Sequence, residues 1–303
     1  MNPSASVSRR EFARQSGLAA VALAASVAPL AAAPVKPWKI IAFSKPFDRL
    51  SPDETADFVA EIGWDGIECA VRKKMGHVAP ERVEEDLPRM SEALKRRGKT
   101  IEIVTTDITT RDPLAEKILR TCAKLGIKRY RFGFAKYDEH RSIADTVREQ
   151  GAALKELEGL NRELGLQGGW QNHSGANYIG APVWDIWTMV RDIDPKHVGV
   201  CFDIAHATIE GGLSWPIQAR LVEPWYAAVY LKDFRWQKTE QGWKPVWCNF
   251  GDGAVDWSFL AKLKASGFHG PLSQHHEYKD LGTGAEMMAN MKRDLARLRE
   301  WLA

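Results

Sequence analysis

Short apolar runs alternate along the chain with longer segments in which apolar positions recur every three or four residues. This alternation occurs eight times between Trp38 and Glu277. The short runs have the length of strands, and the longer segments have the periodicity of amphipathic helices, as at Val83, Leu87 and Met90. Strands that alternate with helices form parallel sheets with right-handed crossovers. The pattern predicts an α/β fold, a (β/α)8 TIM barrel in a single domain.

A doubly wound open sheet is the competing α/β fold. Sheets of that kind usually carry a Gly-rich phosphate-binding turn after the first strand. Here the first predicted strand runs into Phe43-Ser44-Lys45-Pro46, which contains no glycine. The barrel is therefore favoured, and no nucleotide cofactor is expected.

The N-terminus has a separate pattern. Ser8-Arg9-Arg10-Glu11-Phe12 precedes an uncharged run from Gly17 to Ala33 that is rich in Ala, Leu and Val. Paired arginines, a modest apolar run and a small-residue cleavage site are typical of a twin-arginine export signal. A membrane span needs about 20 strongly apolar residues, so a stable membrane anchor is not expected. We predict an export signal over residues 1–33, a barrel over residues 34–303 and a periplasmic mature protein. A helical tail and an uncleaved anchor are the alternatives.

The net charge argues against one class of partner. The chain carries 42 Lys and Arg against 39 Asp and Glu. Loss of residues 1–33 removes three positive charges and one negative charge, so the net charge falls from +3 to +1. Proteins that bind nucleic acid usually keep a strong basic excess. Nucleic acid is therefore not an expected partner.

The cysteines do not indicate a zinc site. The four residues, Cys69, Cys122, Cys201 and Cys248, match no zinc-binding spacing. The first three fall within or beside predicted strands and helices, where we expect buried thiols.

Polar side chains occur at the carboxyl ends of the later apolar runs, where a plain core does not need them. The carboxyl ends of barrel strands meet in one cup, and barrels of this kind carry out their chemistry there. We therefore expect these side chains to lie together. They are Gln171, Asn172 and His173 after the fifth run, Asp203 and His206 after the sixth, Lys232 and Asp233 after the seventh, and His275 and Glu277 after the eighth.

Other residues are expected near the same cup. Side chains alternate along a strand, so Tyr230 shares a face with Lys232, and Glu68 of the second strand points towards the mouth. Glu68 and Arg72 are interpreted either as substrate contacts or as an ion pair across the mouth. Trp247 lies in a tryptophan-rich stretch, Phe234 to Val255, that is predicted to be an irregular loop. Its ring is expected either to stack on the apolar face of a ligand or to pack the stretch over the barrel, and the two roles are compatible in one residue.

Three motifs in the last part of the chain carry a family resemblance. They are Phe202-Asp203-Ile204-Ala205-His206, Leu231-Lys232-Asp233-Phe234 and His275-His276-Glu277-Tyr278. In this order they resemble the xylose isomerase-like barrels, which include sugar isomerases, ketose epimerases and the endonuclease IV type of DNA repair enzyme. The resemblance covers about Ile40 to Leu302. It implies a small sugar as partner, and it leaves a homodimer open because barrels of this family often form dimers.

The resemblance also implies a metal. In the epimerases of this family a divalent ion is held by Glu, Asp, His and Glu at the ends of strands five to eight. The matching positions here are Gln171, Asp203, Tyr230 and Glu277, of which two keep the family residue. His206 or His275 could complete a site, since both residues of Asp-x-x-His bind metal in the endonuclease branch. Binding of Mn, Zn, Co or Mg stays open.

The chemistry that the resemblance implies is proton abstraction through an enediolate, on a small unphosphorylated sugar or keto-sugar. Glu277 is the expected base, and Lys232, His206 or a metal is expected to stabilise the enediolate oxygen. Only one of the two family glutamates remains, which suits a lyase that eliminates from 3-keto-glycosides as the first alternative. A sugar-binding barrel with a decayed metal site is the second. The expected substrate contacts are Glu68, Arg72, Asn172, His173, Tyr230, Asp233, His275 and Trp247.

Overall fold

Eight parallel strands close into a barrel. The computed structural model describes residues 37–303, apart from the side chain of Asp280. The barrel strands are β1 (Ile40–Phe43), β2 (Gly66–Ala70), β3 (Thr100–Thr105), β4 (Arg129–Arg131), β5 (Gln167–Gln171), β6 (Val198–Asp203), β7 (Tyr226–Leu231) and β10 (Leu272–Gln274). Between β7 and β10 the chain forms a separate hairpin of β8 (Asp233–Thr239) and β9 (Gly242–Cys248). Their order around the barrel is β1-β10-β7-β6-β5-β4-β3-β2. The predicted TIM barrel is confirmed.

Helices follow the barrel strands and cover them. They are α1 (Pro52–Ile62), α2 (Val83–Arg96), α3 (Pro113–Lys124), α4 (Ile143–Leu164), α5 (Val183–Val190), α6 (Ile204–Gly211), α7 (Trp215–Val222), α8 (Phe259–Ala265) and α9 (Gly284–Leu302). Local sequence sets their ends. Helix α1 begins with a capping box, in which the Ser51 side chain accepts from the Glu54 amide and the Glu54 side chain accepts from the Ser51 amide. It ends at Gly63, whose φ of 100° favours glycine.

The apolar side chains form two layers. A large cluster fills the space between the barrel and its helices, with fully buried members such as Trp64 and Trp170. A much smaller cluster inside the barrel includes Ile41, Ile103 and Tyr230. The barrel interior is therefore apolar only over part of its depth, and polar side chains occupy the end at the carboxyl termini of the strands.

The stretch from Phe234 to Val255 corrects one prediction. Much of it is not an irregular loop but an antiparallel hairpin of β8 and β9, in which Phe234 pairs with Trp247 and Trp236 pairs with Pro245. Directly paired residues of an antiparallel ladder point to the same side. One face of the hairpin therefore presents Phe234, Trp236, Trp243 and Trp247 together.

The four cysteines are free and buried, as expected for three of them. Within residues 37–303, no helix combines the length and apolar content needed to cross a membrane. The export signal proposed for residues 1–33 lies outside the described residues, and it stays a prediction.

Candidate active site

A lysine lies at the centre of the polar cup. Lys232 follows β7, its side chain is only 2% exposed, and its Nζ lies 3.3 Å from Asp203 Oδ2 and 3.0 Å from Glu277 Oε2. Burial favours the neutral amine, but the carboxylates of Asp203 and Glu277 outweigh burial and raise the pKa of Lys232 above its usual value. The ammonium thus bridges the two carboxylates that match the family pattern. It also lies 4.5 Å from the centre of the Trp247 ring.

Glu277 carries the carboxylate that is open to the mouth. Its Oε1 accepts a hydrogen bond from Lys45 Nζ at 2.8 Å, and its Oε2 accepts one from Lys232. Its side chain is 19% exposed, whereas that of Asp203 is fully buried. Burial alone would raise the pKa of Glu277, but Lys232, His275 and Lys45 lower it well below the usual range. Glu277 is therefore ionised at neutral pH and within reach of a molecule in the cup.

Gln171 and Asp203 form the floor beside this lysine. Gln171 Nε2 donates to Asp203 Oδ2 at 3.0 Å, and Gln171 Oε1 accepts from Arg131 Nη1. Asp203 Oδ1 accepts from the backbone amide of His206 at 3.1 Å and so caps helix α6. The amide of Gln171 thus presents its NH₂ group, not its oxygen, to Asp203.

Two histidines stand on the wall next to Asp203. The rings of His173 and His206 lie 4.1 Å apart, and His206 forms an edge contact with Trp247 at 5.3 Å. His206 Nδ1 accepts from the backbone amide of Ser174 at 3.1 Å. Its Nε2 is buried, without a hydrogen-bond partner, and 3.8 Å from Asp203 Oδ2. Burial lowers the pKa of His206 well below its usual value, and burial together with Lys232 lowers that of His173 to about 3.

A second polar cluster lies deeper in the barrel. Ser273 Oγ donates to Glu68 Oε2 at 2.7 Å, and His275 Nε2 lies 3.0 Å from the same oxygen. Thr105 donates to the other oxygen of Glu68, and Arg131 Nε lies 3.8 Å from it. Burial raises the pKa of Glu68, but His275, Arg131 and Thr105 outweigh it and lower the pKa to about 2.

Three residues expected to contact a substrate lie in or beside this cluster. The side chains of Glu68 and Tyr230 are fully buried, and His275 is packed between Phe43 and Tyr230 with ring distances of 4.8 and 4.4 Å. Their contacts are with neighbouring protein side chains, and the substrate contacts expected of them stay predictions. The ion pair considered between Glu68 and Arg72 does not form, because Arg72 Nε pairs with Asp107 Oδ1 at 3.1 Å.

We expect Glu68→Gln to destabilise the fold at pH 7, because a neutral amide would face His275, Arg131 and two hydroxyl donors. The pKa of Glu68 falls from an ordinary 4.5 to about 2, so ionised Glu68 contributes stability above pH 4.5 that is lost as the pH falls towards 2. This shift corresponds to about 3 kcal/mol. Urea unfolding at pH 7 and pH 3 measures it. An equal difference between variant and wild type at both pH values would contradict this role.

Asn172 and Asp233 form hydrogen bonds mainly with the protein backbone. Asn172 donates from Nδ2 to the Asp203 carbonyl at 2.9 Å and accepts from the Asp203 amide at 2.8 Å, so it holds the backbone of β6. The Asp233 carboxylate accepts from the amides of Phe234, Gly251 and Val255 and from Trp257 Nε1 at 2.8 to 3.2 Å. Both side chains are fully buried. Asn172 thus holds β6 beside Asp203 and Asp233 holds the base of the hairpin, and the substrate contacts expected of both stay predictions.

Sequence reasoning missed Lys45, Arg131 and Ser174. Lys45 follows β1 and reaches Glu277, Arg131 ends β4 and holds Gln171, and Ser174 holds the ring of His206. Lys45 and Arg131 could have been predicted in the same way as Lys232, because each is a charged residue at or just after the carboxyl end of a barrel strand.

The structure is that of a TIM-barrel protein with a cluster of paired ionisable side chains at the carboxyl ends of its strands. A family model for xylose isomerase-like TIM barrels matches residues 56–301, and the chain belongs to this family. No curated protein sequence matches it significantly.

Several solved structures share this fold at low sequence identity. The 3-keto-D-glucoside 4-epimerase from E. coli is 17% identical, with a TM-score of 0.66, over 87% of this chain and 100% of the epimerase. The D-psicose 3-epimerase from Clostridium cellulolyticum, solved with D-tagatose, is 13% identical with a TM-score of 0.68, over 87% and 99%. A xylose isomerase-like barrel from Mycobacterium smegmatis, in complex with magnesium, is 15% identical with a TM-score of 0.63, over 88% and 98%.

The donor set of this chain does not fit the divalent metal that the family implies. Among the described residues, no three or more His, Cys, Asp and Glu side chains are grouped so that they could hold a metal ion. Asp203 and Glu277, the two matching positions, already share the ammonium of Lys232. Tyr230, at the position of the family histidine, is packed below the cup.

Proposed function

We propose that this protein is a sugar isomerase or epimerase that acts on a small unphosphorylated keto-sugar by proton abstraction through an enediolate. The observation that carries the proposal is the contact of the ionised Glu277 carboxylate with the Lys232 ammonium, 3.0 Å apart at the mouth of the barrel. A base next to a fixed positive charge is the pair that enolisation of a ketone requires. The family and its epimerase neighbours support a sugar as substrate.

The mechanism follows from the roles of these side chains. The substrate carbonyl oxygen accepts a hydrogen bond from Lys232, which leaves Glu277 Oε2 facing the carbon next to the carbonyl. Glu277 removes the proton from that carbon, and the negative charge that develops on oxygen is stabilised by the ammonium. Delivery of a proton from water to the other face of the same carbon, while Glu277 later gives its proton back to solvent, gives an epimer. Return of the proton from Glu277 to the former carbonyl carbon, with transfer of the neighbouring hydroxyl proton to the former carbonyl oxygen, gives an aldose–ketose isomer.

The cup favours an unphosphorylated substrate. A phosphate group usually needs basic side chains that are not neutralised by the protein. Lys45 and Lys232 are both paired with Glu277, and Arg72 is paired with Asp107. Arg131 lies under the floor, 3% exposed and bound to Gln171.

A second candidate, elimination from a 3-keto-glycoside, is favoured by the hairpin. Trp247 forms part of the cup wall, while Trp236 and Trp243 on the same hairpin face are 45% and 65% exposed. These rings extend the apolar wall outward, where a group attached to the reacting sugar could stack. Glu277 would take the proton next to the keto group, and the electron pair would form a double bond and expel the glycosidic oxygen, which leaves with a proton as the free alcohol.

One experiment separates the two candidates. Free keto-sugars and 3-keto-glycosides are incubated with the protein in D₂O and followed by NMR. Deuterium at the carbon next to the carbonyl, with an epimer or isomer as product, supports the first candidate. Release of the alcohol together with an unsaturated ketone supports the second. Binding of these sugars without exchange or product would contradict both and indicate a sugar-binding barrel.

A further inference from the structure

In this chain, nitrogen atoms of Lys232 and Gln171 contact the carboxylates that match two of the family's metal ligands, Asp203 and Glu277. Lys232 Nζ lies between Asp203 Oδ2 and Glu277 Oε2, and Gln171 Nε2 donates to the same Asp203 oxygen. The other Asp203 oxygen accepts from the His206 amide. Each Asp203 oxygen therefore already accepts at least one hydrogen bond from protein, and the cation that balances the two carboxylates is part of the chain.

The hydrogen bonds of His206 determine which of its ring nitrogens carries the proton. A histidine that binds a metal offers an unprotonated nitrogen and usually donates its other N–H to an acceptor. In this structure the Ser174 backbone N–H, which can only donate, points at His206 Nδ1 at 3.1 Å, and the Ser174 hydroxyl oxygen, which can donate as well, lies 2.7 Å from the same nitrogen. Nδ1 therefore accepts, and the ring proton belongs on Nε2. A protonated Nε2 cannot bind a metal ion.

The Nε2–H of His206 is left without a protein acceptor. The atom is buried and has no hydrogen-bond partner, and it lies 3.8 Å from the Asp203 oxygen that also contacts Lys232. A buried donor without a partner is costly unless a ligand completes it. The donor and the Lys232 ammonium thus both lie close to the same Asp203 oxygen, 3.8 and 3.3 Å away.

We propose that this barrel works without a divalent metal, and that the Lys232 ammonium and the His206 Nε2–H together bind the carbonyl and enediolate oxygens of the substrate. The inference rests on the proposed function for the identity of those oxygens. The metal binding of the protein and the protonation of His206 do not depend on the identity of the substrate. Both can therefore be measured without one.

The metal part is tested on the full-length protein by elemental analysis after purification and by calorimetric titration with Mn²⁺ and Zn²⁺. We expect no stoichiometric metal and no saturable binding that depends on Asp203. The positive control is the double variant Lys232→Ala with Gln171→Glu, which removes the ammonium and adds a third carboxylate, and which we expect to gain Mn²⁺ binding. About one ion per chain in the wild type, lost in Asp203→Asn, would overturn the proposal.

The histidine part is tested by NMR of protein labelled with ¹⁵N at histidine. The signals of His206 are identified by their loss in His206→Gln. We expect Nδ1 to resonate as an unprotonated nitrogen and Nε2 as a protonated one at neutral pH. The opposite assignment would show a ring that is free to bind metal and would overturn the role of Nε2–H.

Measurements of turnover test the metal part and the histidine part of the proposal together. Once a substrate is found, turnover is expected to be unchanged in EDTA. His206→Leu, which has no donor, is expected to lower kcat about 10²-fold, and His206→Gln, which can present an N–H at a similar place, is expected to recover part of that loss. If no keto-sugar reacts while the metal and NMR results hold, the proposed function fails and the metal-free donor site remains. If turnover occurs but EDTA abolishes it, the metal-free inference fails and the proposed function remains.

Discussion

Replacement of Lys232 by methionine is expected to abolish turnover, with a loss in kcat of about 10³-fold or more. Removal of one preorganised donor to a developing oxyanion usually costs about 10² to 10³-fold, and Lys232 also supplies a full positive charge. Steady-state kinetics on the substrate identified by the D₂O experiment measures the loss. Turnover within a few-fold of the wild type would contradict the electrophilic role of this lysine.

The same variant is expected to be less stable, and this effect needs a control. Lys232→Met leaves the buried carboxylate of Asp203 without its counter-charge, and breaking a buried ion pair in this way costs about 3–5 kcal/mol. The double variant Lys232→Met with Asp203→Asn removes one charge of each sign. We expect it to regain much of the lost stability in urea unfolding while it remains inactive. This result would separate catalysis from folding.

Replacement of Glu277 by glutamine is expected to lower kcat by about 10²- to 10⁴-fold, the range of general base catalysis. The amide has the size of the carboxylate but cannot accept a proton from carbon. Circular dichroism is expected to match the wild type, because Glu277 lies at the mouth with a side chain that is 19% exposed. Glu277→Asp, which keeps the carboxylate but withdraws it by one methylene, is the matched control and is expected to retain part of the activity.

The pH profile gives a second check on Glu277. Lys232, His275 and Lys45 lower the pKa of this carboxyl well below its usual value despite burial, so the base form is present from below pH 4.5 upward. The acid limb of kcat/KM that Glu277 causes should therefore lie below pH 4.5. An acid limb near pH 6 to 7 that disappears in Glu277→Gln would show that substrate-free Glu277 is not held in its charged form, and it would contradict the ion pairs described here.

Most of the barrel could be predicted because its signals are local and repeat. Strands such as β1, β6 and β7 are short and mostly apolar runs, and the start of α1 is marked by the capping residues Ser51 and Glu54. The hairpin of β8 and β9 was missed because only the base of its apolar face, Phe234 and Trp247, packs against the core. Trp236 and Trp243 remain exposed, so the sequence lacks the usual contrast between a buried apolar face and a polar one.

The position of the site could be predicted, but the depth and partners of its side chains could not. The ends of β5, β6 and β7 do bring Gln171, Asp203 and Lys232 together. Glu68 and His275, by contrast, contact each other, and β2 shifts register against β3 at Ile67 and Glu68. A shift of this kind changes where a side chain points, and it is set by pairing between strands that are distant in sequence.

All the polar residues singled out at strand ends were predicted to lie in the site, whereas in the structure some of them form hydrogen bonds with neighbouring backbone. Lys232 and Glu277 face the mouth, whereas Asn172 and Asp233 use their hydrogen-bonding groups on nearby backbone and on the Trp257 indole. A buried polar side chain must find partners, and the backbone of a neighbouring strand or loop is often the nearest one. Residue type and position along the strand do not distinguish these two uses.

The central claim is that Glu277 removes a proton from carbon while Lys232 holds the adjacent oxygen. The most direct measurement is solvent exchange at that carbon in D₂O, followed by NMR for the wild type, Glu277→Gln and Lys232→Met. We predict deuterium incorporation by the wild type in the presence of EDTA and loss of incorporation in both variants. Product formation by the wild type without any solvent deuterium at the reacting carbon, or full exchange by Glu277→Gln, would contradict the account.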